Sequence, residues 1–221
     1  MDKIGYLKES ALFEGLPPSD IDEISDSIEM SNYPKGRIIY QPDDPGDILF
    51  ILKRGRVRIY RLSAEGKELT LTELGAGTIF GEMSLFGQTM YGSFAEAIED
   101  CVICVIDKVR ATQMLEEKPA ISLRLAEILG RRLLSAENKL ENLALRDVPK
   151  RLASLLVELF GSIDGSSKAY RYTHEDLAKM IGTSRESVTL AISEFKNKGW
   201  ISISDHHITL TDIQALKDFI N

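Results

Sequence analysis

Hydrophobic and polar residues follow two different rhythms along this chain. From Gly36 to about Asp107, short alternating runs are separated by Gly, Pro and Asp turns, and the runs begin at Ile48, Val57, Leu69 and Cys101. Short, evenly spaced strands of this kind predict an antiparallel β-roll or jelly roll rather than a parallel sheet. Helical patterns flank this region on both sides, so the expected fold class is α+β.

A long helical pattern starts at Pro119 and runs to about Leu145. Apolar residues recur along it at alternating spacings of three and four, which is typical of a coiled coil; we call these positions the seam, and they are Ala126, Leu129, Leu133, Ala136, Leu140 and Leu143. A second stripe of Ile121, Leu125 and Ile128 can face the β domain of the same chain. Two stripes on different faces predict that the seam meets a second copy of the chain. Burial of the whole helix within a monomer is the alternative.

Two short helices joined by a tight turn are predicted between Thr173 and Phe195. Thr173 and Ser184 are the expected N-caps, and Gly182 lies where the turn needs a positive φ. Arg185 then falls in the first turn of the second helix, with a glutamate directly after it, and both point outward. This geometry places a helix in the DNA major groove. An ordinary helical hairpin is the alternative.

Turn and strand signals complete the domain organisation. Asp147-Val-Pro149 ends the long helix and predicts a hinge. The segment from Trp200 to Leu210 predicts a β-hairpin, the wing of a winged helix. We therefore expect a β-roll sensor domain at 1–118, a dimerisation helix at 119–146 and a winged helix-turn-helix DNA-binding domain at 147–221.

Charge and composition restrict the function. The chain of 221 residues has a net charge of −7, and the part from Arg146 onward is neutral, with ten basic and ten acidic residues. DNA affinity must therefore come from a local basic face and from dimeric presentation. No apolar run approaches membrane-spanning length and no signal peptide precedes the first domain, so a cytoplasmic location without membrane association is expected.

The chemistry-bearing residues do not form a catalytic or metal site. Cys101 and Cys104 have C-x₂-C spacing, but residues three apart in a strand face opposite sides, so buried, separate cysteines are expected. The β domain contains no histidine and no visible nucleophile–base pair. We expect neither an enzyme nor a resident metal or cofactor.

The order of β-roll, long helix, hinge and winged helix-turn-helix resembles the Crp/Fnr family of bacterial transcription regulators. Three motifs carry the resemblance: Gly81-Glu-Met-Ser-Leu-Phe in the roll, Asn142-Leu-Ala-Leu-Arg-Asp-Val at the helix end, and Gly182-Thr-Ser-Arg-Glu-Ser-Val in the helix-turn-helix. The resemblance implies a homodimer that binds a two-fold symmetric site on double-stranded DNA and contacts RNA polymerase, as an activator. A regulatory subunit that carries the roll to a partner protein is a weaker alternative.

The resemblance also implies roles for individual residues at the DNA. Arg185 matches the family arginine that reads guanine, and Glu186 matches the glutamate that accepts from cytosine N4. Ser184 and Thr173 match contacts to the DNA backbone. Candidate phosphate neighbours are His174, Lys179, Lys196 and Lys198.

One position departs from the family pattern. Leu190 stands where the family's best-known member has a further base-reading arginine, so a guanine contact is lost and an apolar contact to a thymine methyl can replace it. Thr189 can add a polar contact. A related but not identical operator is expected.

The roll contains the candidate effector pocket, whose residues are Gly81, Glu82, Met83, Tyr91, Gly92, Ala136 and Glu137. Tyr91 and Gly92 align with the Arg-Ser pair that holds the phosphate in cAMP-binding relatives, while Ala136 and Glu137 replace the hydroxyl residues that contact the purine. We expect that cAMP does not bind in the family manner. The protein then acts without an effector, or it binds a neutral ligand in a pocket lined partly by Tyr91, Phe94 and Glu82. A regulator that responds to a cyclic nucleotide or to another small effector is the alternative.

Overall fold

The computed structural model describes residues 7, 10–26, 28–82, 85, 92–160, 172–204 and 207–220. The chain separates into two compact units, Met1–Leu134 and Ser135–Asn221. This division falls inside the long helix, and the three-part organisation expected from the sequence stays a prediction. None of the described helices combines the length and the apolarity needed to cross a membrane.

The first unit is a β-roll flanked by helices. Its elements are α1 (Pro18–Asp26), β1 (Glu29–Tyr33), β2 (Ile38–Tyr40), β3 (Ile48–Arg54), β4 (Val57–Leu62), β5 (Glu68–Leu74), β6 (Ile79–Phe80), β7 (Phe94–Ala97), β8 (Cys101–Asp107), α2 (Lys108–Glu117) and α3 (Pro119–Leu145). Two four-stranded sheets have the orders β1-β8-β3-β6 and β2-β7-β4-β5. All their pairings are antiparallel, which confirms the roll predicted from the alternating runs.

Strand β8 shows how one sheet is buried on both faces. Cys101 and Ile103 lie in the core enclosed by the two sheets, which also contains Phe80. Cys104 lies in a second core, between the sheet and the helices. The two cysteines are buried and lie on opposite faces of the strand, as predicted. Within the described part of the chain, no group of His, Cys, Asp or Glu side chains is arranged to hold a metal ion.

Helix α3 follows a short capped helix. Asp107 caps α2 by accepting from the Arg110 N–H at 2.9 Å. Ile121 and Leu125 are buried in the helix-side core, and Ile128 packs against it. The prediction that this second stripe faces its own β domain is therefore confirmed.

The second unit contains the predicted helix-turn-helix and wing. After the end of α3 come α4 (Val148–Phe160), α5 (His174–Ile181), α6 (Arg185–Asn197), β9 (Ile201–Ser204), β10 (His207–Leu210) and α7 (Ile213–Ile220). Asp147 caps α4 by accepting from the Lys150 N–H at 3.0 Å. Strands β9 and β10 pair antiparallel as the wing. The loop expected at 161–168 lies outside the described residues.

Candidate nucleic-acid interface and effector pocket

The angle between α5 and α6 is set by local sequence. Thr173 and Asp176 form a capping box at the start of α5, and Gly182 ends that helix with φ +64°, a left-handed conformation that glycine adopts cheaply. Ser184 then caps α6, accepting from the Ser187 N–H at 3.2 Å. These three predicted positions are confirmed. Because the turn between the helices is short and capped at both ends, the start of α6 is held in one orientation.

Helix α6 has one buried and one exposed face. The buried face packs in the core of this unit and consists of Val188, Ala191, Ile192 and Phe195. The exposed face carries all four candidate base-reading residues, namely Arg185, Glu186, Thr189 and Leu190. Arg185 and Thr189 have i,i+4 spacing, and so do Glu186 and Leu190. Thr189 and Leu190 therefore lie one helical turn after the two charged residues. Leu190 is 73% exposed.

Glu186 is held in its ionised form. A hydrogen bond from its own backbone N–H, then one from the Ser184 side chain, and the nearby positive charge of Arg185 lower the pKa of the Glu186 carboxyl. An ionised carboxylate only accepts hydrogen bonds. This chemistry suits the amino group of cytosine, the role that the resemblance implies.

Thr173 and Ser184, the two predicted phosphate contacts, use their hydroxyls in hydrogen bonds to neighbouring residues of the same chain. Thr173 Oγ1 accepts from the Asp176 N–H at 3.1 Å and donates to the Asp176 carboxylate at 2.7 Å. Ser184 Oγ is 3.1 Å from Ser187 Oγ in addition to its cap contact. Both residues are exposed at helix starts, where N–H groups favour anions. Their role at phosphates stays a prediction.

A contact between the two helices was not foreseen from the sequence. His174 Nδ1 lies 2.8 Å from Thr189 Oγ1. Thr189 Oγ1 also lies 2.9 Å from the carbonyl oxygen of Arg185, one turn earlier in α6. The first residue of α5 is therefore hydrogen-bonded to the exposed face of α6.

Gly81 and Glu82 occupy the roll end of the candidate effector pocket. Gly81 has φ +78°, and a Cβ there would come within 2.8 Å of the Ile48 carbonyl oxygen and 2.9 Å of the Phe50 ring. Packing against β3 thus explains this glycine without a ligand. Glu82 is buried, and one carboxylate oxygen accepts from Arg132 on α3. Arg132 also donates to the Ile79 carbonyl oxygen.

Arg132 is a functional candidate that sequence reasoning missed. It lies four residues before Ala136, one helical turn away, and it places a cation beside the buried Glu82. The other oxygen of Glu82 is buried and has no hydrogen-bond partner among the described residues. A buried carboxylate is costly without a neighbouring cation, but nothing in the sequence indicates that Glu82 is buried or that Arg132 is its partner.

The other candidate pocket residues either are exposed or lie outside the described residues. Met83 and Tyr91 lie outside the described residues, while Gly92, Ala136 and Glu137 are exposed. Phe94 stacks on Tyr60 with ring centroids 5.1 Å apart. Since Ala95, the next residue along β7, is buried in the core between the sheets, Phe94 lies on the opposite face.

The seam is exposed over most of its length. Leu133, Leu140 and Leu143 are 61%, 68% and 42% exposed, while Leu129 packs in part against the core of the first unit. Ala126 and Ala136 are also exposed. A row of exposed apolar side chains is typical of surfaces that associate with another chain.

The fold and these surfaces define a class of protein: a roll of the cyclic-nucleotide-binding type joined to a winged helix-turn-helix. Residues 30–118 match the cyclic nucleotide-binding domain, and residues 150–219 match the Crp-like helix-turn-helix domain.

Similar proteins span nearly the whole chain. A CRP-like cAMP-activated global transcriptional regulator from Mycobacterium tuberculosis is 33% identical over 98% of both chains. A global nitrogen regulator from Nostoc is 30% identical over 82% of this chain and 84% of its own. The structure of a CooA mutant from Carboxydothermus hydrogenoformans matches with a TM-score of 0.79 and 30% identity over 90% of both chains. The chain therefore belongs to the Crp/Fnr family and is a DNA-binding transcription regulator, not an enzyme.

Proposed function

We propose that the protein acts as a homodimer that reads a two-fold symmetric DNA site without cAMP and activates transcription through contact with RNA polymerase. The observation that carries the dimer is the exposed seam, with Leu133 and Leu140 each more than 60% exposed. Pairing along α3, which is about 40 Å long, would set the two recognition helices about 34 Å apart, one turn of DNA.

Base reading is assigned to the exposed face of α6. Arg185 offers a planar donor fork that suits O6 and N7 of guanine, and Glu186 offers an ionised acceptor for cytosine N4. The support is their joint exposure at the capped start of one helix. Thr173 and Ser184 would meet the flanking phosphates.

Independence of cAMP is supported by what replaces the phosphate and purine contacts. Gly92 offers no side chain where relatives have a serine, and Glu137 adds a negative charge that disfavours an anionic ligand. Arg132, the cation described beside the pocket, already bonds Glu82 and the Ile79 carbonyl.

A second candidate function is regulation by a small effector. The observation that favours it is the buried Glu82 oxygen without a partner among the described residues, which would accept a hydrogen bond from a ligand hydroxyl. The M. tuberculosis relative, whose name states activation by cAMP, supports the same candidate.

One experiment addresses these proposals together. Untreated full-length protein is used to select duplexes from a random pool, and the affinity for the selected DNA is measured with and without cAMP. We expect inverted half-sites whose centres are about ten base pairs apart, bound equally well in both conditions. Loss of binding in Arg185→Ala would support α6 as the recognition helix. Selection that succeeds only with cAMP would overturn effector independence in favour of the second candidate.

The activator assignment needs a separate measurement. The selected site is placed upstream of a weak promoter, and transcription by purified RNA polymerase is compared with and without the protein. A rise in transcript supports activation. A fall would assign repression instead.

A further inference from the structure

We propose that the exposed face of α6 reads the C5 methyl group of a pyrimidine, and that His174 is the positioning residue that turns Thr189 for this task. The inference rests on the proposed role of α6 as the recognition helix. It changes the polar role that the sequence assigned to Thr189.

The hydroxyl of Thr189 has its single proton committed inside the protein. Oγ1 is 2.9 Å from the Arg185 carbonyl oxygen and 2.8 Å from His174 Nδ1. Because a carbonyl only accepts, the hydroxyl donates to Arg185, and His174 must then donate from Nδ1 to Thr189. Thr189 has no proton left for the acceptors that bases present in the major groove, such as guanine N7 or thymine O4.

The same two contacts turn the methyl group of Thr189 outward. A threonine hydroxyl bonded to the carbonyl one turn earlier fixes the side chain about its first torsion, and His174 holds the oxygen from the α5 side. This exposed side chain then offers DNA its methyl group and one remaining acceptor lone pair of the oxygen, but no proton. Beside it lies Leu190, 73% exposed. Together they form an apolar patch one turn beyond the charged pair of Arg185 and Glu186.

Among the unmodified bases, one group in the major groove offers an apolar contact to such a patch. Thymine presents its C5 methyl there, and the other unmodified bases present only donors and acceptors. Four residues along α6 advance the contact by about 6 Å, or about two base-pair steps of about 3.4 Å each. The methyl should therefore lie about two base pairs from the guanine that Arg185 contacts. Thymine and 5-methylcytosine both carry this group.

The DNA arm of the test changes only the methyl group. In the duplex selected by the full-length protein, each thymine is replaced in turn by deoxyuridine, which keeps base pairing and removes the C5 methyl. One thymine per half-site should show a loss of about three- to five-fold in affinity per methyl. At that position, 5-methylcytosine opposite guanine should bind more tightly than unmethylated cytosine. Indifference to deoxyuridine at every position overturns the inference.

The protein arm separates methyl reading from hydroxyl reading. Thr189→Val keeps the methyl and removes the hydroxyl, and it should preserve the thymine-to-deoxyuridine affinity ratio. Thr189→Ser keeps the hydroxyl and removes the methyl, and it should lower that ratio toward one. The reverse pattern would assign reading to the hydroxyl and overturn the inference.

The role of His174 is tested by the same ratio. His174→Asn keeps a donor close to the place of Nδ1 and should preserve the ratio, whereas His174→Ala frees the Thr189 side chain and should lower it. Equal ratios in these two variants overturn the positioning role. Arg185→Ala distinguishes failure of the methyl-reading inference from failure of the proposed function. If this variant binds the selected site normally, the recognition helix itself is wrongly assigned. Dependence on Arg185 combined with indifference to the methyl removes only the present inference.

Discussion

Truncating one leucine of the seam should weaken the dimer far more than truncating a leucine beside it. Leu140 is 68% exposed and belongs to the seam. Leu134 is 62% exposed and lies on the same helix, one residue after a seam position. In a heptad repeat such a position faces outward. The pair Leu140→Ala and Leu134→Ala therefore removes the same side chain from two surfaces of similar exposure.

The magnitude follows from the exposed fraction of Leu140. Full burial of a leucine contributes about 1.5–3 kcal/mol, so covering its exposed two-thirds contributes about 1–2 kcal/mol per protomer. A two-fold symmetric dimer loses this contribution twice, about 2–4 kcal/mol in all. At about 1.4 kcal/mol per tenfold change, the dimer dissociation constant of Leu140→Ala should rise about 30- to 1,000-fold.

Sedimentation equilibrium over a dilution series measures that constant directly. The unmodified protein should remain dimeric at concentrations where Leu140→Ala dissociates, and Leu134→Ala should follow the unmodified protein within about threefold. Since the proposed dimer binds DNA with two recognition helices, Leu140→Ala should also bind its selected site more weakly at low protein concentration. Equal effects of the two substitutions, or no effect of either, would refute pairing along the seam.

Three further predictions concern stability and thiol chemistry. Thr173→Ala removes the N-cap of α5 and should lower the free energy of unfolding by about 1 kcal/mol in urea titration; an unchanged midpoint would exclude a stabilising cap. The ammonium of Lys118, 3.1 Å from the Glu23 carboxylate, lowers the pKa of Glu23. The stabilisation is therefore fully present above the ordinary pKa of a glutamate and is lost as the pH falls through the lowered pKa. Glu23→Gln should be less stable than the unmodified protein at neutral pH, with the two melting temperatures converging in acid; a constant gap would disprove this linkage. Burial raises the pKa of the Cys101 thiol, and Cys104 is 1% exposed, so both thiols should react with a water-soluble reagent only after unfolding. Rapid labelling of the native protein would contradict their burial.

Residue periodicity was sufficient for most of the fold. Alternation located the strands of the roll, and it also indicated that Cys101 and Cys104 diverge, because the side-chain period of a strand is two. The helical period separated the stripe of Ile121 and Leu125, which is buried, from the exposed seam. Caps and a positive-φ glycine located the two helices of the helix-turn-helix. These signals are local, so a single sequence carries them.

Contacts between distant residues could not be obtained in this way. Glu82 and Arg132 meet because α3 packs beside β6, and neither spacing nor composition links them. The hydrogen bond from His174 to Thr189 depends on the angle between α5 and α6, which the sequence predicts only as a type of motif. The sequence places Gly81 in the candidate effector pocket, and only the structure shows that its backbone packs closely against Ile48.

The Glu82–Arg132 pair also bears on which effector the roll would accept. A carboxylate buried without a counter-charge costs several kcal/mol, and here Arg132 supplies that charge from within the chain, so the folded roll needs no ligand for neutrality. The same arginine donates to the Ile79 carbonyl, and a phosphate entering the pocket would have to compete for a cation already in use. The second Glu82 oxygen, buried without a partner among the described residues, asks only for a hydrogen-bond donor. A ligand hydroxyl, on a neutral compound or on the ribose of a cyclic nucleotide, would satisfy this oxygen without disturbing the ion pair, so the proposed obstacle to cAMP is its phosphate and not its sugar.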